Sequence, residues 1–305
     1  MKTADKMKLK GIFKEIRKNK FSYAFCFPYY FLFLIFTVLP VLVSIFLSFT
    51  SFNMLQPPEF LGIDNYIRMF FGDQIFLTGF KNTVLIALIV GPGGYLLCML
   101  MAWLINELSP KLRAFVTLIF YAPSISGNMY LIWSVMFSGD EYGYINSLLM
   151  RLDIITEPVR WLKNPQYTLP IVIIVSLWLS LGTSFLAFIA GFQGVSKTYY
   201  EAAAVDGVKN RWQELWFVTL PMMRPQMMFS AVMSITGAFN VGSVVTALCG
   251  LPSVDYSAHT IMNHLEDFGG TRFEMGYASA IATFLFFLMI ASNLVIKKMI
   301  SKVGN

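Results

Sequence analysis

Six long stretches of the chain, at about 23–50, 83–105, 114–137, 169–193, 227–249 and 276–296, contain no Asp, Glu, Lys or Arg. Each supplies the ~20 predominantly apolar residues that an α-helix needs to cross ~30 Å of hydrocarbon. The pattern predicts an all-α integral membrane protein with six transmembrane helices. It divides the chain into a polar arm over 1–22, a six-helix domain over 23–296 and a short tail over 297–305, with the most polar internal loop at 194–225. The first apolar stretch is longer than the ~7–15 residues of a signal-peptide core and no small-residue cleavage site follows it. It is expected to remain as an anchor.

Composition agrees, since 56% hydrophobic and 13% charged residues cannot furnish both a core and a wet surface for a soluble chain of 305 residues. The charges give a direction. Seventeen of the 23 basic residues lie in the N-terminal arm, the second and fourth loops and the tail, against six in the other three loops. The positive-inside tendency puts the first group, with both termini, in the cytoplasm. This topology, together with attraction to anionic lipid headgroups, explains the positive net charge without nucleic acid.

Several chemistries find no support. No GxxxxGK[ST] phosphate loop is present, so the chain does not hydrolyse a nucleotide by that route. None of the six stretches holds a His, Lys, Arg or carboxylate, the groups by which ion-coupled carriers usually bind their coupling ion at membrane depth. No catalytic constellation marks an enzyme. Cys26, Cys98 and Cys249 lack pairing or metal-like spacing, and His259 and His264, five apart, are poorly spaced to share a metal on one helix. Gly91, Pro92, Gly93 and Gly94 predict a kink or close helix crossing in the second span.

Between the fourth and fifth spans stands "EAAAVDGVKNRWQELWFVTLP", from Glu201 to Pro221. The alanines favour a helix over Tyr199 to Asp206, and Gly207 is a natural stop. Trp212, Leu215, Trp216 and Thr219 then recur at helical spacing before Pro221 and Pro225. A compact two-helix knob results. It suits either an amphipathic helix on headgroups or a protein-docking site, and periodicity does not separate the two.

The run Glu201, Ala202, Ala203, followed by Asp206, Gly207, Leu220 and Pro221, resembles the EAA loop of binding-protein-dependent ABC importer permeases. "LPVLVSIFLSFTSFN", "FLGIDNYIRMF" and "FEMGYASAIATFLF" are similar to segments of its sugar-importing branch, related to the maltose permeases. The resemblance covers most of residues 21–300. It implies a type I importer permease fold, with the loop as the element that couples to a cytoplasmic ATPase through those residues and Trp212. It also implies a second permease, two ATPase subunits that bind ATP and Mg, an extracellular solute-binding protein and a carbohydrate substrate. No cofactor is implied for this chain. The loop is one residue longer than the family's usual spacing, and the surplus is expected in the turn at Val208 to Asn210, where insertion is tolerated.

For a substrate path, Thr236, Asn240 and Ser243 recur at i, i+4 and i+7 in the fifth span. Ser176, Ser180, Thr183 and Ser184, with Trp178, mark the fourth, Asn128 the third, and Ser279 and Thr283 the sixth. Uncharged hydroxyls and amides suit a neutral polyhydroxylated ligand, while equally serving helix-to-helix packing. Asn240 is singled out because a buried amide without a use is costly.

Overall fold

The computed structural model describes residues 18–127 and 129–300. Four helices are long and apolar enough to span a membrane, at Lys20–Leu47, Gln74–Asn106, Pro165–Gly194 and Met275–Met299. Two further spans are bent pairs. Pro110–Ile125 and Tyr130–Met136 meet at 85°, and Arg224–Phe239 and Gly242–Cys249 at 41°. Among the described residues the six expected stretches are mainly helical, with sharp bends in two of them and a further break in the fourth at Ser180 to Gly182.

The second span is the hub, 33 residues long and about 50 Å from end to end at the α-helical rise. The fourth and fifth spans pack against it and against each other, the sixth packs on the fifth, and the first touches the bundle mainly through Leu39–Leu47 on the sixth. The glycine run of the second span is a close crossing. A Cβ on Gly91 would lie 3.3 Å from Ile235, one on Gly93 3.1 Å from Leu177, and one on Gly94 2.8 Å from Ser180. Without side chains there, the second span presses its backbone onto both neighbours at mid-length. Apolar cores lie on either side of this crossing, one around Phe185, Phe188 and Met223 toward the 194–225 loop, the other around Phe76, Ile261 and Ile281 toward the opposite end. Side chains such as Phe25, Phe36, Leu88 and Phe115 stay exposed along the helices, as lipid-facing surfaces require.

At the end opposite the 194–225 loop, buried asparagines tie the connections together. Asn146 donates to the carbonyls of Ser138, Asp140 and Val159 while its Oδ1 accepts from the Val159 N–H and the Trp161 indole. Asn82 donates to the carbonyls of Ser257 and His259 at 3.0 and 2.9 Å. A loop buried against a bundle leaves carbonyls that must be paired, and a short amide on a neighbouring element does this.

The three segments that carried the resemblance outside the loop converge at this same end. Asn65 donates to the carbonyls of Ser48 and Thr50 at 2.9 Å, and Arg68 forms a 2.6 Å ion pair with Glu274. Gly276 donates its N–H to the Phe52 carbonyl at 3.0 Å, in a space where a Cβ would collide with the Thr50 carbonyl. They form one junction joining the first and sixth spans.

Candidate functional site

Two features stand out, the polar loop at one end and a cleft at the middle of the bundle. The loop begins with a helix over Lys197–Val205, capped by the Ser196 side chain accepting from the Thr198 N–H. Its end is a Schellman motif: the Val208 N–H donates to the Ala203 carbonyl and the Gly207 N–H to the Ala204 carbonyl, with Gly207 at φ +96°. A left-handed residue at that point is what reverses the chain. Asn210 then caps a second helix, Arg211–Glu214, by accepting from the Gln213 N–H.

The second helix is seated on the bundle rather than free. Arg211 pairs with Glu107 at 3.2 Å and Glu214 at 2.7 Å, and the Trp212 ring lies 4.8 Å from Trp103. Thr219 donates its hydroxyl to the Glu214 carbonyl, which leaves Tyr200 as donor across the 2.9 Å contact between the two hydroxyls. That contact ties the first helix to the turn after the second. Glu201, Ala202, Asp206, Gly207, Trp212 and Pro221 are exposed and Ala203 is half-buried, so these face outward together. Leu220 is instead buried beside Phe188 and Met223. From there it anchors the loop to the bundle.

The two turns of the loop differ in geometry. Val208 to Asn210 is a tight connection closed by the Schellman bonds, whereas Leu215–Thr219 is a π-helical turn, which holds more residues per turn than an α-helix. The aromatic register of Trp216 and Phe217, both exposed, is set by that turn.

The cleft lies between the second, fourth and fifth spans, with a volume of ≈ 260 Å³. Two helix breaks form its floor and wall. The fourth span is interrupted at Ser180 to Gly182, and the fifth at Asn240 and Val241. Interrupted backbone at membrane depth is tolerated where it lines a cavity or is covered by protein, and both breaks open onto this one. Ser176, Thr183, Ser184, Ser234 and Gly237 complete the polar lining against Val90, Leu179, Met233 and Val244. No lining residue carries a formal charge.

The break revises the expected stripe. Thr236, Asn240 and Ser243 do not share one continuous helix face, because the bend falls at Asn240 itself. Asn240 is exposed, not buried, and its amide makes no hydrogen bond to another described residue. It faces the cleft together with Ser180, while Thr236, Ser243 and Trp178 lie outside the lining. Trp178 packs edge-on to Trp133 at 5.5 Å. Asn128 lies outside the described residues, and Ser279 sits in a separate groove beside Gly269 and Ala282.

The serines divide between the two expected roles. Ser184 donates to the Ser230 carbonyl, Ser230 donates to the Ser184 carbonyl, and Ser234 donates to the Ser184 hydroxyl, each at 3.1 Å. This lattice clamps the fourth span to the fifth. Ser180 bonds back to the Leu177 carbonyl at 2.6 Å, stabilising the break. Ser176 has a buried hydroxyl without a partner on the wall of the cleft. Ser230 and Ser234, which complete the clamp, are passed over by the sequence reading, although their i, i+4 spacing in an otherwise apolar run is a signal for them.

A bent, charge-free cleft at mid-bundle and a structured polar loop at one end define a membrane transport subunit built to be driven from outside itself. The chain belongs to the family described as "Binding-protein-dependent transport system inner membrane component", whose model matches residues 94–303. It is 34% identical over 276 residues to the probable ABC transporter permease protein YesP of Bacillus subtilis, covering 88% of this chain and 87% of that one. It is 31% identical to the lactose transport system permease protein LacF of Rhizobium radiobacter over 68% of each. Its fold matches a chain of a bacterial ABC transporter that imports the acidic polysaccharide alginate, with a TM-score of 0.77 and 26% identity over 96% of this chain and 99% of the other. It is accordingly a multi-pass cell-membrane protein and a permease component, not an enzyme.

Proposed function

We propose that this chain forms one half of a translocation pathway for a neutral carbohydrate, an oligosaccharide in preference to a polyol or sugar phosphate. The observation that carries the reading is the charge-free cleft at the two helix breaks. Its ≈ 260 Å³ is smaller than the ~300–1,000 Å³ of complete small-molecule sites, and the unpaired amide of Asn240 looks away from this chain's own core. A second permease closes the site. Hydroxyls and an amide opposite apolar side chains match a sugar's polar rim and apolar ring face, and the lactose and alginate transporters among the similar proteins support a carbohydrate.

The loop over 194–225 receives the ATPase. Its exposed Glu201, Ala202, Asp206 and Gly207 form a small-residue face that lets a partner approach closely, braced from below by Arg211 and Tyr200. In this orientation the loop and both termini are cytoplasmic, and an extracellular solute-binding protein delivers the sugar to the opposite end.

Orientation has a direct measurement. A cysteine replacing Lys209 should react with a membrane-impermeant maleimide only from the cytoplasmic side, and one replacing Asp153 only from outside. The reverse pattern would turn the assembly over and remove the loop from the ATPase. Function is tested in proteoliposomes carrying the two permeases, with radiolabelled maltotriose and a panel of neutral oligosaccharides as probes. Uptake should require both the ATPase subunit with ATP and the binding protein. Uptake that persists without the ATPase would instead identify a secondary carrier.

A further inference from the structure

At the end opposite the loop, four polar side chains from three elements meet in a buried row. Asp73 caps the second span, accepting through Oδ1 from the Phe76 N–H. Its Oδ2 accepts from the Tyr277 hydroxyl of the sixth span at 2.9 Å and contacts His264 Nε2 at 3.0 Å. His264 Nδ1 in turn lies 3.2 Å from His259 Nε2. Both imidazoles are 1% exposed. The remaining nitrogen of the row, His259 Nδ1, is buried without a partner.

The row has room for a fixed number of protons. Asp73 is an acceptor: burial works to raise its pKa, but the hydrogen bonds from His264, the Phe76 N–H and Tyr277 outweigh it and hold the carboxyl well below the usual range. His264 therefore presents Nε2–H to it, and the 3.2 Å contact between the rings holds one proton. With His264 Nδ1 as acceptor, His259 gives its Nε2–H to that contact, and its own buried Nδ1 is the site for a further proton. The N–H formed there would have no acceptor inside a pocket closed by Phe76, Phe268 and Tyr256. The other charges nearby are paired among themselves. Arg272 bridges to Asp267 at 2.7 Å, and Arg68 bridges to Glu274 while lying over the Tyr277 and Phe268 rings.

We propose that Asp73, His264 and His259 are positioning residues that form a proton-operated latch, holding the 251–266 segment against the end of the second span and releasing it on acidification. The segment's other hydrogen bonds to that span are Asn82 to its carbonyls and Thr83 Oγ1 accepting from the Ile261 N–H at 2.9 Å, and Ile261 packs in one core with Phe76. Burial, then the neighbouring His264, pushes the His259 pKa down to about 4 from 6.5, against smaller pulls from Asp267 and Asp73. In the latched state His259 is thus neutral, whereas an opened state with His259 in water binds the extra proton. The latch is at full strength above the solvated pKa of 6.5 and weakens as pH falls toward about 4. Asp73, whose pKa is also held down, stays anionic throughout that window. Because this end is extracellular in the orientation proposed above, the pH sensed is the outside pH, and the inference rests on that orientation.

The test uses the assembled complex in right-side-out vesicles, with Cys26, Cys98 and Cys249 replaced by alanine and Ala258→Cys as reporter, since Ala258 is 0% exposed beside the latch. Its maleimide reaction rate is divided by that of the exposed Asp153→Cys at each pH, which removes the intrinsic thiol chemistry. The normalised rate should rise by about tenfold from about pH 7.5 to about pH 5. In His259→Gln, which cannot take the proton, the rise should stay below about twofold. A flat profile in the chain that keeps His259, or an equal rise with and without the His259→Gln substitution, would overturn the latch. If Ala258→Cys does not assemble, hydrogen exchange of the 252–266 segment in the unsubstituted complex, corrected for intrinsic pH dependence, reads the same opening. Labelling of Asp153→Cys from the cytoplasmic side alone would instead overturn the orientation.

Discussion

Gly207→Val is expected to abolish uptake and release the ATPase while leaving the amount of membrane-inserted chain unchanged. Gly207 stands at φ +96°, where a β-carbon costs roughly 1–2 kcal/mol in the left-handed region. A Cβ built there meets nothing within 4 Å, so the chain itself does not collide with the new side chain. The damage falls on the Schellman turn and on whatever approaches the open space beside it. Gly207→Asn separates the two effects, because asparagine tolerates the left-handed conformation. It should preserve the turn while still intruding on the partner. Retention of ATPase by the Asn variant and its loss with Val would place the effect in the backbone; loss with both would place it in the contact surface. Normal uptake in both variants, together with normal uptake after charge reversal at exposed Glu201, would mean that the knob rests on headgroups.

The second large effect is expected at Asn240. Its amide lies at the bend of the fifth span, exposed and unpaired within the chain, and it offers both a donor and an acceptor to a sugar hydroxyl. Losing one such bond costs ~0.5–1.5 kcal/mol, about a fewfold to tenfold in affinity. Asn240→Leu should therefore raise the substrate concentration needed for half-maximal uptake by that factor, or narrow the range of sugars carried. ATP hydrolysis should still respond to the binding protein. A fall in assembled complex with unchanged transport per complex would show that Asn240 bonds to the second permease.

Sequence and structure agree most closely where burial in lipid leaves the chain little choice. Runs without charge have to be helical, because only hydrogen-bonded helices satisfy the backbone in hydrocarbon, and the spans at Gln74–Asn106 and Met275–Met299 follow the runs that predict them. The breaks are less legible. Ser180 to Gly182 and Asn240 to Val241 interrupt helices inside uninterrupted apolar composition, so hydropathy passes over them; what permits them is the cleft they share. Composition marks Asn240 as a buried amide, and in the structure it matters as an exposed one. A spacing of five residues is poor along one helix and argues against His259 and His264 acting together. The chain turns between them, since Thr260 is the N-cap of the helix Ile261–Glu266 and His259 precedes it. A rule about helical faces does not apply to residues on either side of a cap. The asparagines at 82 and 146 carry no sequence signal beyond their type, for their partners are mostly loop backbone groups, distant in sequence for Asn82 and nearby for Asn146.

The incompleteness of the mid-bundle cleft bears on how such a transporter changes its diet. A recognition surface divided between two chains is divided between two genes, and a substitution in one is judged only against the wall supplied by the other. Gradual adaptation to a new sugar then favours paired changes, whereas exchange of the whole partner subunit alters half the surface at once. Under the proposed function, the charge-free wall of this chain, with its serine lattice clamping the fourth span to the fifth, is suited to being the constant half when the partner is exchanged.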